Sequence, residues 1–291
     1  MEQAVHILTS LHVGDDPGGA ATVARRWFEL GWELLGGQLR AMVDGDDPVL
    51  AGVVAPRGFV TSMGAGTSLS YAEGQWHQFV AELDRLPDAL FEVSPLIPAA
   101  RPEFEWRRAA HFESPYFMSM RLDRYEPDVV NLVLKSRHEL LFDGGAGESR
   151  IIAFLEDLVS IRAVDYAEVT YGHGGGEHTM QERDLGLSPF KSLPEARSVL
   201  RGFAWVTVIP AGIAARLGGA EALAATGAFF RVKALPHGEV WLQATEHFDD
   251  WNDEAAAKVF PVLTPFLPAG TMPLAYRYSS DSVRAGNVGK R

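Results

Sequence analysis

Apolar positions along the chain recur with two periods, one typical of amphipathic helices and one typical of strands. Spacings of three and four residues predict three helices. Their apolar faces carry Val23, Trp27, Leu30, Leu34 and Leu35 in the first, Trp76, Phe79, Val80 and Leu83 in the second, and Ile151, Phe154, Leu155, Leu158 and Val159 in the third. Runs rich in aromatic and β-branched residues predict strands at 4–10, 49–55, 116–122, 129–136 and 163–171.

The last part of the chain has the pattern of a small α+β module. Its order is strand 203–209, helix 212–225, strand 228–234, strand 239–246 and helix 252–264. Asn252 is predicted to cap the last helix, because a side-chain oxygen at that position accepts the free amides of the first turn. The inward positions of this module are expected to bury Trp205, Val206, Val208, Leu217, Phe229, Val232, Val240 and Leu242.

The order strand–strand–helix occurs three times, ending near residues 86, 160 and 264. Such units predict an α+β fold, with a mixed or antiparallel sheet and helices packed on it. We expect an N-terminal subdomain over 1–100, a C-terminal domain over 116–278 and a flexible tail at 279–291. Glycine and serine predict a loop at 58–70, five prolines predict an irregular connection at 87–115, and residues 172–186 are expected to form a loop.

Charge and composition narrow the classes of partner. The formal net charge of the 291 residues is −12, so nucleic acid and anionic membrane surfaces are poor partners, and a basic protein or a small ligand is a better one. Cysteine is absent, which excludes disulfides and thiolate chemistry. The first residues lack the features of a signal peptide, and the longest uncharged run, 203–215, is shorter than a bilayer span. These features predict a cytoplasmic protein.

Candidate catalytic and metal-binding motifs are incomplete. The run His173-Gly174-Gly175-Gly176 resembles an oxyanion loop, but the matching Gly-x-Ser-x-Gly nucleophile motif is missing. His173, Glu177 and His178 are metal-ligand residue types. The two histidines are five positions apart in a glycine loop and do not share a helix face, and no third ligand with a matching spacing is evident. The nucleotide-binding glycine motifs are also missing. We therefore expect no catalytic residue, no metal and no cofactor.

The most unusual charge feature is the segment 234–257, which has six acidic residues and no lysine or arginine. Aromatic side chains interleave with its acids, a combination that suits a basic protein surface. The candidate binding residues are Glu246, Asp249, Asp250, Trp251, Asp253 and Glu254. The alternative is structural: Trp241 points into the core, Trp251 staples the helix, and the acids cap it.

Residues 202–268 resemble the C-terminal module of bacterial immunity proteins. Trp205 lies where those proteins have an aromatic strand, and Leu217-Gly218-Gly219 lies where they end a helix with Leu-Gly-Gly. The resemblance is to the type VI immunity family found beside VRR-type nuclease toxins and to the related immunity protein 52 family. It implies a non-enzymatic protein that neutralises a cognate toxin by binding it. The alternative is a small-molecule-binding protein or an enzyme, with a site between subdomains near the 172–186 loop.

Overall fold

The computed structural model describes residues 4–14, 18–35, 54–62, 65–70, 80–81, 83, 88–95, 116–122, 128–142, 146–172 and 176–275. The strands are β1 (Ala4–His12), β2 (Val54–Ser62), β3 (Ala65–Ser70), β4 (Asp88–Pro95), β5 (Tyr116–Leu122), β6 (Val129–Arg137), β7 (Val164–Tyr171), β8 (Val206–Ile209), β9 (Arg231–Ala234) and β10 (Val240–Gln243). The helices are α1 (Gly19–Leu30), continued by a π-helical turn (Gly31–Leu35), α2 (His138–Leu141), α3 (Gly147–Ile161), α4 (Met180–Leu185), α5 (Pro189–Glu195), α6 (Ala211–Arg216), α7 (Gly219–Ala225) and α8 (Asp253–Leu263). Short 3₁₀ turns lie at Phe248–Asp250 and Thr264–Phe266.

The chain divides into two compact units, one made of residues 1–11 and 163–291 and the other of residues 12–162. In both units the described strands pair antiparallel and helices accompany them, which confirms the predicted α+β class. The bounds differ from the predicted domains 1–100 and 116–278, because β1 pairs with β7 and so belongs with the C-terminal segments. The predicted tail at 279–291 lies outside the described residues.

In the 12–162 unit, the strands follow the order β3-β2-β4-β5-β6. The hairpin of β5 and β6 was predicted within one residue, and its register pairs Met118 with Leu134. Helix α3 buries every predicted apolar residue from Ile151 to Val159. It packs against α1, where the Trp27 and Phe154 ring centroids are 5.0 Å apart. The predicted faces of both helices are therefore confirmed wherever their side chains are described.

Two of the predicted loops contain strands. The 58–70 segment pairs as β2 and β3, and β2 also pairs with β4. The connection predicted at 87–115 contains β4, which begins after Pro87 and ends at Pro95. Proline lacks the amide hydrogen that a central ladder position uses, so the ends of a strand are where it is tolerated. Residues 96–115 lie outside the described part of the chain.

In the unit of residues 1–11 and 163–291, the strands follow the order β1-β7-β8-β10-β9. Strands β1 and β7 form its longest pair: β7 is buried along its whole length and β1 at all but its end residues. Their register pairs Leu8 with Glu168 and Ser10 with Tyr166. A sheet buried on both faces leaves no solvent-facing side for polar side chains, so those that occur there need partners within the protein.

The C-terminal module has the predicted order, with one correction. The helix predicted at 212–225 is two short helices, α6 and α7, because Gly218 and Gly219 adopt φ angles of 86° and 78° that break the helix. Trp205, Val206, Val208, Val240 and Leu242 are buried as predicted. Leu217, Phe229 and Val232 are only half-buried, since the first two lie beyond element ends and Val232 lies on the outermost strand in the described order of this unit.

No helix among the described residues combines the length and the apolar character needed to cross a lipid bilayer.

Candidate functional site

Most acids of the 234–257 segment lie after β10, in the stretch that leads into α8. Residues 248–250 form a single 3₁₀ turn. The Oδ1 atom of Asn252 then accepts the amides of Glu254 and Ala255 at 3.0 and 3.1 Å. This is the predicted cap, and it satisfies two of the amides that a helix start leaves free. The segment is therefore held in one conformation by backbone hydrogen bonds at both of its helical turns.

Five carboxylates of this segment are exposed: Glu246, Asp249, Asp250, Asp253 and Glu254. We call these five residues the acidic surface. Among their contacts, Asp253 Oδ1 accepts the amide of Ala275 at 2.8 Å, and Glu254 pairs with Lys258 at 3.2 Å. Both members of the latter pair are largely exposed, and such pairs contribute little stability.

The aromatic residues between these acids do not reach the surface. Trp251, Trp241 and Phe248 are fully buried. The Trp251 ring meets Phe203 edge-on at 6.1 Å, and Phe248 meets Trp205 edge-on at 5.2 Å. The Trp251 ring is therefore part of the core and does not lie at the surface with the acids. Trp241 points into the core, as the structural alternative predicts.

Exposed large apolar side chains lie elsewhere in this unit. Phe230 and Met272 are 54% and 50% exposed. The amide of Phe230 donates to Ala244 O at 3.3 Å, two residues before Glu246. Met272 lies three residues before Ala275, whose amide is bound by Asp253. Backbone hydrogen bonds therefore connect the neighbourhoods of Phe230 and Met272 to Ala244 and Asp253.

A sixth acid of the 234–257 segment is internal. Glu239 is buried, and its Oε1 accepts the amide of Val164 at the start of β7, at 2.9 Å. This carboxylate ties the β9–β10 hairpin to the centre of the sheet. It makes no contribution to the acidic surface.

A group of buried polar side chains centres on Arg201, a residue that precedes β8. Its guanidinium and the Glu182 carboxylate are both completely buried, and two hydrogen bonds of 2.7 and 3.0 Å join them. Arg201 also donates to Glu177 O at 2.6 Å and to Ser10 Oγ at 3.3 Å. Glu182 accepts the Thr179 amide at 2.8 Å and the Ser192 hydroxyl. We call Ser10, Tyr166, Glu168, Glu182 and Arg201 the buried polar network.

This network fixes part of the segment that the sequence predicted as a loop at 172–186. Residues 180–185 form helix α4, and Thr179 and Glu182 make a reciprocal capping box at its start. The pattern Thr-x-x-Glu is the sequence signature of that motif, so the signal was present in the chain. Arg201 is nineteen positions away from Glu182 and had no local signal.

Two further side chains complete the network. The Tyr166 hydroxyl donates to Glu168 Oε2 at 2.7 Å, and the Arg201 guanidinium lies 5.7 Å from the centre of the Tyr166 ring. Burial raises the pKa of Glu168 to about 7, although the Tyr166 hydrogen bond and the Arg201 charge act in the opposite direction. Burial alone lowers the pKa of Arg201, but the charge and hydrogen bonds of Glu182 outweigh it and raise that pKa overall. Arg201 is therefore a permanent cation with a buried counter-ion.

The loop that was considered for oxyanion or metal chemistry is only partly described. His173, Gly174 and Gly175 lie outside the described residues. Glu177 contributes its backbone carbonyl to Arg201, and His178 is half-buried. In the described part of the chain, no three acidic or histidine side chains are grouped as metal ligands would be.

Comparison with known proteins gives a structural relationship only. No protein-family model matches the chain, and no curated protein matches its sequence. Among solved structures, the Pseudomonas aeruginosa T6SS protein PA0821 superposes with a TM-score of 0.57 and 11% sequence identity, over 94% of this chain and 78% of that chain. At such low identity the likeness shows a shared fold. The chain therefore shares its fold with a T6SS protein, and its resemblance to immunity families remains a prediction.

Proposed function

We propose that this chain is a non-catalytic immunity-type protein, associated with a type VI secretion system, that neutralises a cognate toxin by binding it. The observation that carries the proposal is the acidic surface. Its five exposed carboxylates lie on a segment anchored to a dense core, in a chain of net charge −12. The fold shared with a T6SS protein and the resemblance of residues 202–268 to immunity modules support the same reading.

The chemistry of the acidic surface defines the partner. Toxins that cleave nucleic acids need basic surfaces to hold phosphates, and an array of carboxylates competes for the same cations. Charges of one sign on an exposed surface accelerate encounter with the opposite sign, and salt screens that effect beyond about 8–10 Å. The partner we propose is therefore a toxin with a basic surface, and a nuclease fits that description.

The exposed apolar side chains supply what Trp251 cannot. Interfaces draw most of their binding energy from a few large side chains that become fully desolvated. Phe230 and Met272 are available for that role, because about half of each side chain is exposed before binding. We propose that they flank the acidic surface in the complex, with the carboxylates setting the association rate and the two apolar side chains slowing dissociation.

A charge-reversal experiment tests the acidic surface. The double variant Asp249→Lys/Asp250→Lys should bind the toxin encoded by the neighbouring gene with an association rate at least tenfold slower at low salt, and the difference should shrink as salt is added. Its melting temperature should change little, because both side chains are exposed. The matched control is Glu195→Lys/Glu221→Lys, which makes the same change of net charge at exposed positions outside the acidic surface.

The outcomes separate the function from the surface. If co-expression of the wild-type chain fails to protect cells from any neighbouring gene product, the immunity proposal is wrong. If the chain protects but the two double variants bind equally fast, immunity stands and the acidic surface has no special part in it. A Phe230→Ala variant with an unchanged dissociation rate would remove that side chain from the interface.

The alternative of a small-molecule or catalytic site near residues 172–186 has less support. The buried charged groups that are described there, Glu182 and Arg201, bond to each other and to the backbone. Structural partners of this kind leave few polar atoms for a ligand. A neighbouring set of metabolic genes, in place of a toxin gene, would favour this alternative.

A further inference from the structure

Glu168 has an environment that suits a neutral carboxyl better than a charged one. It lies in the middle of β7 and is buried. Oε2 accepts the Tyr166 hydroxyl at 2.7 Å, whereas the buried Oε1 has no hydrogen-bond partner among the described residues. Thr207 lies opposite Glu168 on β8, but its Oγ1 accepts the amide of Ala204. An ionised carboxylate in this position would therefore keep one oxygen unsolvated and unbonded, which is costly.

Around Glu168, buried acidic groups outnumber buried cations. Arg201 supplies the cation, and Glu182, from α4, already holds it with two hydrogen bonds. Tyr166 is on the same strand face as Glu168, and His6 lies on the same face of β1, opposite Thr170. The His6 ring donates through Nε2 to Gly176 O at 3.0 Å. Two buried carboxyl groups thus face one guanidinium.

We propose that protonation of Glu168 is a switch that keeps the segment 176–187 attached to the sheet. When Glu168 is neutral, Arg201 is committed to Glu182 and to the Glu177 carbonyl, and these bonds hold the segment. When Glu168 loses its proton, its carboxylate competes with Glu182 for Arg201. The bonds from Arg201 to Glu182 and Glu177 weaken, and the segment opens.

The direction of the pH dependence follows from the raised pKa of Glu168. Burial raises the pKa of folded Glu168 to about 7 from its ordinary value of 4.5. The folded state therefore binds a proton more tightly than the open state, and the stabilisation is complete below the ordinary pKa and is lost as the pH rises through about 7. For an opening that exposes this carboxyl, linkage predicts an equilibrium constant roughly 70-fold larger at pH 8 than at pH 5.

Hydrogen exchange at single segments tests this switch. The reporter amides are Glu182, Arg183 and Leu187, which donate to Thr179 Oγ1, Thr179 O and Glu182 O. After correction for intrinsic exchange rates, their protection should fall by roughly the same 70-fold between pH 5 and pH 8. Opening of β7 also exposes Glu168, so β7 amides should show the same step, but from a higher level of protection, because the segment opens without β7.

Two variants give opposite shifts. Glu168→Gln keeps the shape and an acceptor for Tyr166 but cannot ionise, so the pH step at the reporter amides should disappear. Tyr166→Phe removes the bond that favours the ionised form, so the step should move to higher pH. Glu254→Gln is the matched control, an exposed glutamate changed in the same way, and it should keep the wild-type step.

The proposal is wrong if wild-type protein shows no step, or if Glu168→Gln keeps it. It is also wrong if the reporter amides and the β7 amides have equal protection at every pH, because the segment would then open only together with β7. Should Glu168→Gln fail to fold, the direction of the shift in Tyr166→Phe decides: a step that moves to lower pH, or does not move, overturns it.

Discussion

The buried pair of Arg201 and Glu182 offers the sharpest test of the packing described above. Replacing Arg201 with methionine keeps an apolar stem of similar length but removes the cation. Glu182 then retains only the Thr179 amide and the Ser192 hydroxyl as partners, and its charge is left buried without a counter-ion. Removing one partner of such a pair typically costs about 3–5 kcal/mol. Against a typical domain stability of about 5–15 kcal/mol, that is a large fraction.

A control variant and a second substitution separate the effect of the stranded charge from the effect of lost packing. Arg26 makes the same kind of two-bond pair with Asp157, at 2.8 and 3.0 Å, but both side chains are substantially exposed. Arg26→Met should therefore cost less than about 1 kcal/mol. Adding Glu182→Gln to Arg201→Met removes the stranded charge yet keeps an acceptor for the Thr179 amide. The double variant should recover about 2 kcal/mol relative to Arg201→Met alone.

The differences in unfolding free energy are measured by urea unfolding followed by segment-resolved hydrogen exchange. Exchange is assigned to each of the two compact units separately, since they need not unfold together. The reasoning is refuted if Arg201→Met costs no more than Arg26→Met. It is also refuted if the double variant is as unstable as the single one, because the loss would then come from packing or from the Glu177 and Ser10 bonds and not from a stranded carboxylate.

Other predictions concern packing. Trp205 is fully buried and donates through Nε1 to Thr245 O at 3.0 Å, so Trp205→Ala should cost about 3–5 kcal/mol in denaturant melts; a loss below about 1 kcal/mol, the size of a surface effect, would contradict it. A Cβ atom at Gly147 would overlap the backbone carbonyl of Leu141, so Gly147→Ala should destabilise by about 1–3 kcal/mol. Gly212→Ala is its control, since the nearest atom there is 3.5 Å away, and thermal melts should show it neutral or slightly stabilising.

Several elements were predictable because their signals are local. The strands 116–122 and 129–137 and the helix 147–161 follow from residue periodicity and β-branched content. The Asn252 cap follows from one residue and its position before an apolar run. Each of these features is determined by residues close to it in sequence, and tertiary packing reinforces it.

The misses come from contacts that periodicity does not encode. The Gly- and Ser-rich 58–70 segment forms strands because β2 pairs on both sides, with β3 and β4, and that pairing outweighs weak local propensity. Trp251 lies among acids in sequence but packs on Phe203, which is distant along the chain. The acidic surface was visible in sequence as charge, but whether its aromatic residues faced outward depended on the fold of the whole unit.

The position of β1 has a consequence for synthesis. This strand is apolar along most of its length, and its partner β7 begins only at Val164. At about 5–20 residues per second, a ribosome needs roughly 8–30 s to make the intervening residues. During that time β1 must stay unpaired with β7 and exposes an edge that other chains can join. Pairing β1 with β7 also closes a long loop between them, which slows folding. Efficient folding of this protein should therefore be improved by chaperones that shield β1 until β7 has been made.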